Sequence, residues 1–303
     1  MKIRVGIVGY GNLGKGAEQA VLQQADMTMV GIFSRRPGVE SLQNTSVYPA
    51  EDLSEFEGRL DVLLLCGGSA KDLPEWSPRL SRRFAIVDSY DDHENAAAHI
   101  AACHNDRHAA ILCAGWDPGL FSIQRALCKS IFPHLEPQTF WGPGVSQGHS
   151  DALRQIEGVL DGRQYTIPKE DAIEKARKGA FIPKEKAHRR VCHVVAKPGE
   201  DRKRIREAIQ TMPHYFAPYE TEVNFVSQKE LDNALPHGGL VLGGAGRMEL
   251  SLSLPSNPAF TGAVLTAYGR AAYRLEKEGN YGAKTPLDVP VSYLCPMDAE
   301  EFL

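Results

Sequence analysis

Residues 3 to 36 read IRVGIVGYGNLGKGAEQAVLQQADMTMVGIFSRR, and this stretch decides the fold. An apolar, β-rich run over 3–8 leads into a glycine-rich turn. A helical stretch follows to about Gln24, and a second apolar run covers 27–33. A strand, a helix and a second strand in this order predict a βαβ unit.

The glycine-rich turn has the pattern G-x-G-x-x-G. Glycine there permits a tight turn and close approach of the backbone to a pyrophosphate, and the helix N-terminus supplies N–H donors to the phosphates. The alternative is a merely tight glycine turn. We expect a dinucleotide-binding loop formed by Gly9, Tyr10, Gly11, Asn12, Leu13 and Gly14.

The residues after the second strand indicate which dinucleotide binds. An NAD site usually has an acid about 20 residues beyond the glycines, whereas Ser34, Arg35 and Arg36 stand there in this chain. A hydroxyl and two guanidinium groups suit a 2′-phosphate. The alternative is a solvated basic pair. We therefore expect NADP as the cofactor.

The pattern beyond residue 36 predicts two kinds of structure. Further strand candidates at 62–66, 85–87 and 110–114 alternate with helical stretches, which indicates a parallel sheet covered on both faces. After Gly115 the chain is turn-rich, and its strand candidates are more polar, at 164–167, 191–196, 222–226 and 248–254. MELSLSL at 248–254 alternates strictly, as a half-exposed antiparallel strand does.

These patterns predict an α/β fold with an N-terminal Rossmann-type, doubly wound parallel sheet, followed by an α+β domain. An apolar helical stripe over 258–275 predicts a C-terminal helix that returns to the first domain. We place the dinucleotide-binding domain at 1–117, the α+β domain at 118–254 and the returning segment at 255–303.

Ligands of doubly wound sheets lie beyond the carboxyl ends of the strands, so the residues there are candidate site residues. We expect cofactor contacts from the segments that follow the third and fourth strands, namely Cys66, Gly67, Gly68 and Ser69, and Asp88, Ser89 and Tyr90. Asp91 and Asp117 converge near the expected nicotinamide, and two carboxylates suit a cationic substrate. Alternatively, Asp117 caps a helix with Pro118 at its first turn, and Asp91 lies in a surface turn.

Composition excludes several classes of protein. The 303 residues are 43% hydrophobic and carry a formal charge of −4, which gives no positive field for nucleic acid or an anionic membrane. The start of the chain lacks signal-peptide features and no run of 18 apolar residues occurs, so we expect a cytoplasmic protein. The six cysteines contain no C-x-x-C pair, and we expect them to be reduced, with no metal site.

Several longer motifs carry a family resemblance. They are, in chain order, GYGNLGKG, GIFSRR, DSYDDH, AGWDPGLFSI, FWGPGVSQGHSDA, EDAIEKARKG, TMPHYF, PHGG and NPAFT. In this order they resemble the motifs of the meso-diaminopimelate dehydrogenases. AGWDPG and FWGPGVSQGHSDA are far more specific than the glycine pattern.

The resemblance implies an NADP-dependent homodimer of lysine and diaminopimelate biosynthesis, in which the α+β domain at 118–254 binds the substrate and forms the dimer. The implied reaction is reversible oxidative deamination of the D-centre of meso-2,6-diaminopimelate to L-2-amino-6-oxopimelate, ammonia and NADPH. At the reacting centre the resemblance implies Asp91 and Asp117 for the amine, Trp116 and Trp141 as walls, and Gln147 with Gly148 for the carboxylate. At the far L-centre it implies Thr166, Arg190, His237 and Asn257.

Each of these residues has a simpler alternative. Arg190 could be solvated, Thr166 an ordinary strand residue, and His237 a loop histidine; Asn257 could cap a helix, and both tryptophans could belong to the core. Two rival functions also stay open: a two-domain sugar dehydrogenase, or a non-catalytic NADP-binding sensor. Sugar dehydrogenases of this plan carry Glu-Lys-Pro after a central strand, where this chain has DSYDDH and no lysine.

Overall fold

The computed structural model describes residues 2–213, 215–231 and 237–303. The chain forms two compact units. One comprises Met1–Ile123 and Asn257–Leu303, and the other comprises Gln124–Ser256. Among the described residues, no helix is both long enough and apolar enough to cross a bilayer.

Strands and helices are numbered along the chain. The strands are β1 (Ile3–Val8), β2 (Met27–Ser34), β3 (Val47–Pro49), β4 (Val62–Leu65), β5 (Ile86–Asp88), β6 (Ala109–Ile111), β7 (Gln138–Trp141), β8 (Gly144–Ser146), β9 (Val159–Pro168), β10 (His188–Ala196), β11 (Glu220–Phe225), β12 (His237–Gly243), β13 (Met248–Leu254) and β14 (Gly282–Lys284). The helices are α1 (Asn12–Leu22), α2 (Leu73–Leu80), α3 (Ala96–Ala102), α4 (Leu120–Ile131), α5 (Gln147–Arg154), α6 (Glu170–Arg177), α7 (Lys184–Ala187), α8 (Arg202–Gln210), α9 (Gln228–Leu231) and α10 (Asn257–Lys277).

A seven-stranded sheet forms the centre of the first unit. Its strand order is β14-β6-β5-β4-β1-β2-β3, and all neighbouring strands are parallel. This order reverses direction at β1, as in a doubly wound fold, so the predicted fold class is confirmed. The sequence patterns did not indicate the edge strands β3 and β14, because three residues are too few to show a period.

Both faces of this sheet are buried, because successive side chains of a strand point to opposite faces. On one face, Ile7, Leu64 and their neighbours pack with Ala17 and Val21 of α1 and with Leu265 of α10. On the other face, a second core cluster includes strand residues and side chains of α2. Its members include Val8, Phe33, Leu63, Leu65, Leu73, Trp76, Leu80 and Ile86.

The predicted C-terminal helix is confirmed as α10, and it packs against α1 of the first unit. The two backbones approach closely, since a Cβ atom at Gly16 would lie 2.4 Å from the carbonyl oxygen of Pro258. Arg270 of α10 is buried and forms an ion pair with Asp26. The C-terminal residues therefore complete the core of the first unit.

The second unit contains two smaller sheets, with strand orders β11-β10-β9-β8 and β13-β12-β7. Strand β9 pairs antiparallel with β8 and β10, and β10 pairs parallel with β11. Strand β13 pairs antiparallel with β12 and alternates in exposure along Met248–Leu254, as predicted. Strands β7 and β8, in a segment expected to be mainly turns, are short and are joined by Gly142 and Pro143.

Candidate active site

The glycine-rich loop joins β1 to α1 in the first unit. Gly9 has φ of +89°, a conformation that favours glycine, and a Cβ atom at Gly14 would lie 2.3 Å from the carbonyl oxygen of Gly9. A Cβ atom at Gly11 would meet nothing within 4 Å, so this side of the loop is open. Gly11 is the N-cap residue of α1 and has no side chain to cap the helix, so the first N–H groups of α1 suit an anion.

Ser34, Arg35 and Arg36 line a cleft of about 240 Å³ in the first unit. Arg36 donates from Nη2 to the carbonyl oxygen of Tyr10 at 2.6 Å, and its backbone N–H donates to Ser34 Oγ at 3.1 Å. Arg35 forms an ion pair with Asp72, and its guanidinium lies 4.7 Å from the ring centroid of Trp76. Both arginines are exposed, so two cations border this cleft.

The segment after β4 is tied to the segment after β5. The N–H of Gly68 donates to Asp72 Oδ2 at 2.9 Å, and a Cβ atom at Gly67 would lie 2.6 Å from the Trp76 ring. Ser69 Oγ accepts a hydrogen bond from the N–H of Asp91 at 3.1 Å. Cys66 is buried, which raises the pKa of its thiol. Ser69 thereby holds one of the two predicted acids in place.

Asp88, the last residue of β5, is fully buried within the first unit. Oδ2 accepts hydrogen bonds from Ser77 Oγ at 2.6 Å and from His99 Nε2 at 2.7 Å. Oδ1 accepts from the backbone N–H groups of Tyr90 at 3.2 Å and Cys113 at 2.9 Å. The Tyr90 ring stacks on His99 with 3.9 Å between centroids. This carboxylate shapes the ends of β5 and β6, while Ser89 is half-buried.

Asp91 and Asp117 differ in their surroundings. Asp91 is exposed, and Asp117 is half-buried in the turn before α4. That helix begins at Leu120, so Asp117 does not occupy its N-cap position. The N–H of Gly119 instead donates to Ser122 Oγ at 3.2 Å. Asp117 therefore lies three residues before the first residue of α4.

Trp116 and Asn257 also belong to the first unit. Trp116 is half-buried and meets Phe121 edge to face, with ring centroids 5.4 Å apart. Asn257 is the first residue of α10, and its Oδ1 accepts a hydrogen bond from Thr261 Oγ1 at 3.3 Å. Trp116 keeps part of its ring accessible, as a residue that walls a pocket must.

In the second unit, Thr166 on β9 and Arg190 on β10 face each other in the antiparallel register. Nη1 of Arg190 donates to Thr166 Oγ1, and the guanidinium lies 4.1 Å from the ring centroid of Tyr219. Arg190 is 9% exposed, and its Nε atom has no hydrogen-bond partner among the residues that the structure describes. Within the described ranges, no carboxylate forms an ion pair with Arg190, and burial lowers the pKa of its guanidinium. A carboxylate ligand would satisfy this buried cation.

Two histidines accompany Thr166 and Arg190. His149 on α5 forms a hydrogen bond through Nδ1 with Ser146 Oγ at 2.7 Å, and burial lowers the pKa of His149 to about 4. Burial also lowers the pKa of His237 on β12, which forms a hydrogen bond with the backbone of Val145. Val145 lies on β8, whose register with β9 places Gly144 opposite Thr166. The second unit therefore places the predicted far-end residues Thr166 and Arg190 on paired strands, and His237 on a strand of the other sheet that is linked by a hydrogen bond to β8.

Trp141, the predicted second wall, ends β7 and is half-buried. Its backbone N–H donates to Nε2 of His188 at 2.9 Å, and burial lowers the pKa of His188 to about 4. A neutral imidazole therefore supports the backbone of this tryptophan. Gln147 and Gly148 begin α5, and their side chains lie outside those that the structure describes.

The sequence motifs did not indicate the supporting residues Glu18, His99 and His188. One feature of the sequence could have indicated that Glu18 is buried, because Glu18 falls on the apolar stripe of α1 with Gly14, Ala17 and Val21. An acid on a buried face must have partners.

Comparisons with known proteins match this chain to the diaminopimelate dehydrogenases. The family model of the diaminopimelic acid dehydrogenase C-terminal domain matches residues 115–251. A meso-diaminopimelate D-dehydrogenase from Acetivibrio thermocellus is 47% identical to this chain, with 99% of this chain and 96% of the relative covered.

Two solved structures are similar over nearly the whole chain. One is a meso-diaminopimelate dehydrogenase from Clostridium tetani that carries six substitutions and was solved with diaminopimelate (DAP). Its TM-score is 0.92 and its sequence is 43% identical, with 99% of this chain and 98% of that chain covered. An engineered D-amino acid dehydrogenase bound to NADP+ has a TM-score of 0.83 and 40% identity, and the shares covered are 100% and 98%.

Proposed function

The chain belongs to the meso-diaminopimelate D-dehydrogenase family, and we propose that it catalyses the reversible, NADP-dependent oxidative deamination of the D-centre of meso-2,6-diaminopimelate. The products are L-2-amino-6-oxopimelate, ammonia and NADPH. The observation that carries this proposal is the buried Arg190 guanidinium, which has no ion-pair partner among the described residues of the chain and suits a second carboxylate.

The cofactor fits the first unit. The open side of the glycine-rich loop and the free N-terminus of α1 suit the pyrophosphate, and the exposed Arg35 and Arg36 suit a 2′-phosphate. When bound, NADP+ supplies the hydride acceptor of the reaction. The loop after β4 and the loop after β5, linked through Ser69 and Asp91, would border it.

The chain's own residues orient the amino acid. We propose that Asp91 and Asp117 hold the reacting amine, because carboxylates bind an ammonium group and can receive its proton. Trp116 and Trp141 would wall the reacting centre and exclude water while the hydride leaves Cα. Water then attacks the resulting imine carbon, and ammonia departs. Gln147 and Gly148 would hold the near carboxylate.

The residues that bind the far end of the substrate would select for its length. Meso-diaminopimelate has an amino acid group at each end, and we propose that Arg190, Thr166, His237 and Asn257 hold the L-configured one. A guanidinium and a hydroxyl are donors to a carboxylate. Binding energy from this remote group can orient the reacting centre.

Three further points stay predictions. They are the homodimer, the cytoplasmic location, and the assignment of residues 118–254 to substrate binding and dimerisation between a dinucleotide domain at 1–117 and a returning segment at 255–303. Sedimentation velocity of the purified protein measures the first directly.

A spectrophotometric assay tests the proposed reaction. NADPH formation is measured with meso-diaminopimelate, its L,L isomer and simple D-amino acids, with NADP+ and NAD+ in turn. We expect fast turnover with meso-diaminopimelate and NADP+, and little with the L,L isomer, which lacks a D-centre. Equal turnover with the meso and L,L isomers would overturn the stereochemical assignment, and no turnover of any amino acid would overturn the activity.

A further inference from the structure

Glu18 is a buried carboxylate that the proposed reaction does not use. It lies in the second turn of α1 and is 0% exposed. Its Oε2 accepts a hydrogen bond from Tyr10 Oη at 2.5 Å, and its Oε1 accepts one from Ser41 Oγ at 2.5 Å. Burying an acid is costly unless donors compensate it, and here each carboxylate oxygen has a hydroxyl donor.

Both hydroxyl groups also accept hydrogen bonds from backbone N–H groups of the segment that follows β2. The Tyr10 hydroxyl accepts a hydrogen bond from the N–H of Leu42 at 2.9 Å. The Ser41 hydroxyl accepts from the N–H groups of Gln43 at 3.0 Å and Thr45 at 2.9 Å. One carboxylate therefore joins the glycine-rich loop to the segment at 41–45.

Tyr10 connects this network to the basic pair. Its carbonyl oxygen accepts the 2.6 Å hydrogen bond from Nη2 of Arg36, so the place of that guanidinium depends on the place of Tyr10. The Tyr10 side chain is 3% exposed and is held by its hydroxyl at the carboxylate of Glu18. Tyr10 therefore connects Glu18 to Arg36, with one hydrogen bond to each. The exposed guanidinium of Arg36 borders the cleft that Ser34, Arg35 and Arg36 line.

We propose that Glu18 is a positioning residue for cofactor selectivity, acting through Tyr10 to hold Arg36 where it binds the 2′-phosphate of NADP. This inference rests on the proposed NADP dependence. Charged hydrogen bonds are sensitive to geometry, so a displaced Arg36 loses contact with the phosphate. NAD has no 2′-phosphate, and its binding does not depend on Arg36 in this way.

A double-mutant cycle tests the inference. Glu18→Gln keeps the shape of the side chain but removes its charge and one acceptor, Tyr10→Phe removes the linking hydroxyl, and the third variant combines them. Dissociation constants for NADP+ and NAD+ are measured by direct titration without amino acid. Each single variant should weaken NADP+ by about 5- to 30-fold, roughly the loss of one charged hydrogen bond, and NAD+ by less than about threefold. The double variant should be no weaker than Tyr10→Phe.

A matched control separates positioning from stability. Asp26→Asn breaks the ion pair with Arg270 in the same unit and should lower the melting temperature without changing the ratio of the two dissociation constants. Turnover of Glu18→Gln at saturating NADP+ should stay close to wild type. Equal weakening of NADP+ and NAD+, or additive effects in the double variant, would overturn the inference. A wild-type protein that binds NAD+ as tightly as NADP+ would overturn the proposed cofactor itself, and that result appears before any variant is made.

Discussion

Two buried charged residues, one in each unit, have opposite surroundings. Asp88 of the first unit accepts hydrogen bonds from the side chains of Ser77 and His99 and from two backbone N–H groups. Arg190 of the second unit donates a hydrogen bond to Thr166 and contacts Tyr219, but no described residue forms a hydrogen bond with its Nε atom. A satisfied buried charge stabilises the fold, whereas an unsatisfied one marks a place for a ligand.

The largest change in stability is expected from a substitution of Asp88, the buried charge that accepts four hydrogen bonds. Asp88→Ala leaves four buried donors without an acceptor and should lower the free energy of unfolding by about 3–5 kcal/mol. Urea denaturation measures this change. Asp91→Ala is the control, because an exposed acid three positions along the chain should change stability by less than about 0.5 kcal/mol. Similar losses in the two variants would contradict the comparison.

Arg190→Met tests the second of these two buried charges. It removes a buried charge that no carboxylate of the described residues neutralises, so stability should be unchanged or higher. The loss of the far-end anchor should cost about 2–4 kcal/mol of transition-state stabilisation for meso-diaminopimelate, roughly 30- to 900-fold in kcat/KM. Any trace activity on D-alanine, which is too short to reach the anchor, should be nearly unchanged. Equal losses on both substrates, or a marked loss of stability, would assign Arg190 a structural role.

Arg36→Ala extends the comparison to an exposed cation. Because this guanidinium is solvated, its loss should leave stability nearly unchanged but raise the KM for NADP+ by about 10- to 100-fold, the equivalent of roughly 1.5–3 kcal/mol. Initial rates at varied NADP+ measure the effect. Lys2→Ala is a control for net charge. An unchanged KM for NADP+ would remove Arg36 from the cofactor site.

His188 adds a third case, in which burial keeps a group neutral. Its pKa falls from 6.5 to about 4 in the folded protein, so between these values the unfolded chain binds more protons. The resulting stability is complete above about pH 6.5 and is lost as the pH falls towards 4. Between pH 7 and pH 5 the loss should be about 2 kcal/mol.

A variant isolates this contribution. His188→Gln keeps an acceptor near the N–H of Trp141 but cannot titrate, so its free energy of unfolding should vary less with pH than that of the wild type. Denaturation curves at pH 7 and pH 5 provide the comparison. Identical slopes for the two proteins would show that His188 is not the titrating group.

The sequence was most informative where the pattern is local. The first βαβ unit and α10 are long and periodic, and the glycine-rich loop and the arginines that follow β2 lie within one such unit. These elements, the fold class and the family resemblance are confirmed. Strands β3 and β14 were not predicted, because they are short and their pairing partners are set by tertiary structure.

The site residues show the same limit. The sequence placed Asp88 beside Ser89 and Tyr90 because all three follow one strand pattern, but only the structure shows that Asp88 faces inward to Ser77 and His99. The sequence could not show whether a carboxylate lies beside Arg190, because that depends on which side chains of other elements are near. The predicted roles of the individual site residues stay predictions.

The contribution of α10 and β14 to the first unit has a consequence for the order of folding during synthesis. Residues 1–123 leave the ribosome before residues 257–303, yet a face of their sheet is covered by Leu265, Tyr268 and Leu275, and its edge strand comes from 282–284. The second unit is continuous in sequence, so its own contacts are complete once residue 256 has emerged. The first unit therefore begins to emerge before the second but completes its core after it, and until residues 257–284 are made its incomplete sheet presents apolar surface of the kind that chaperones bind.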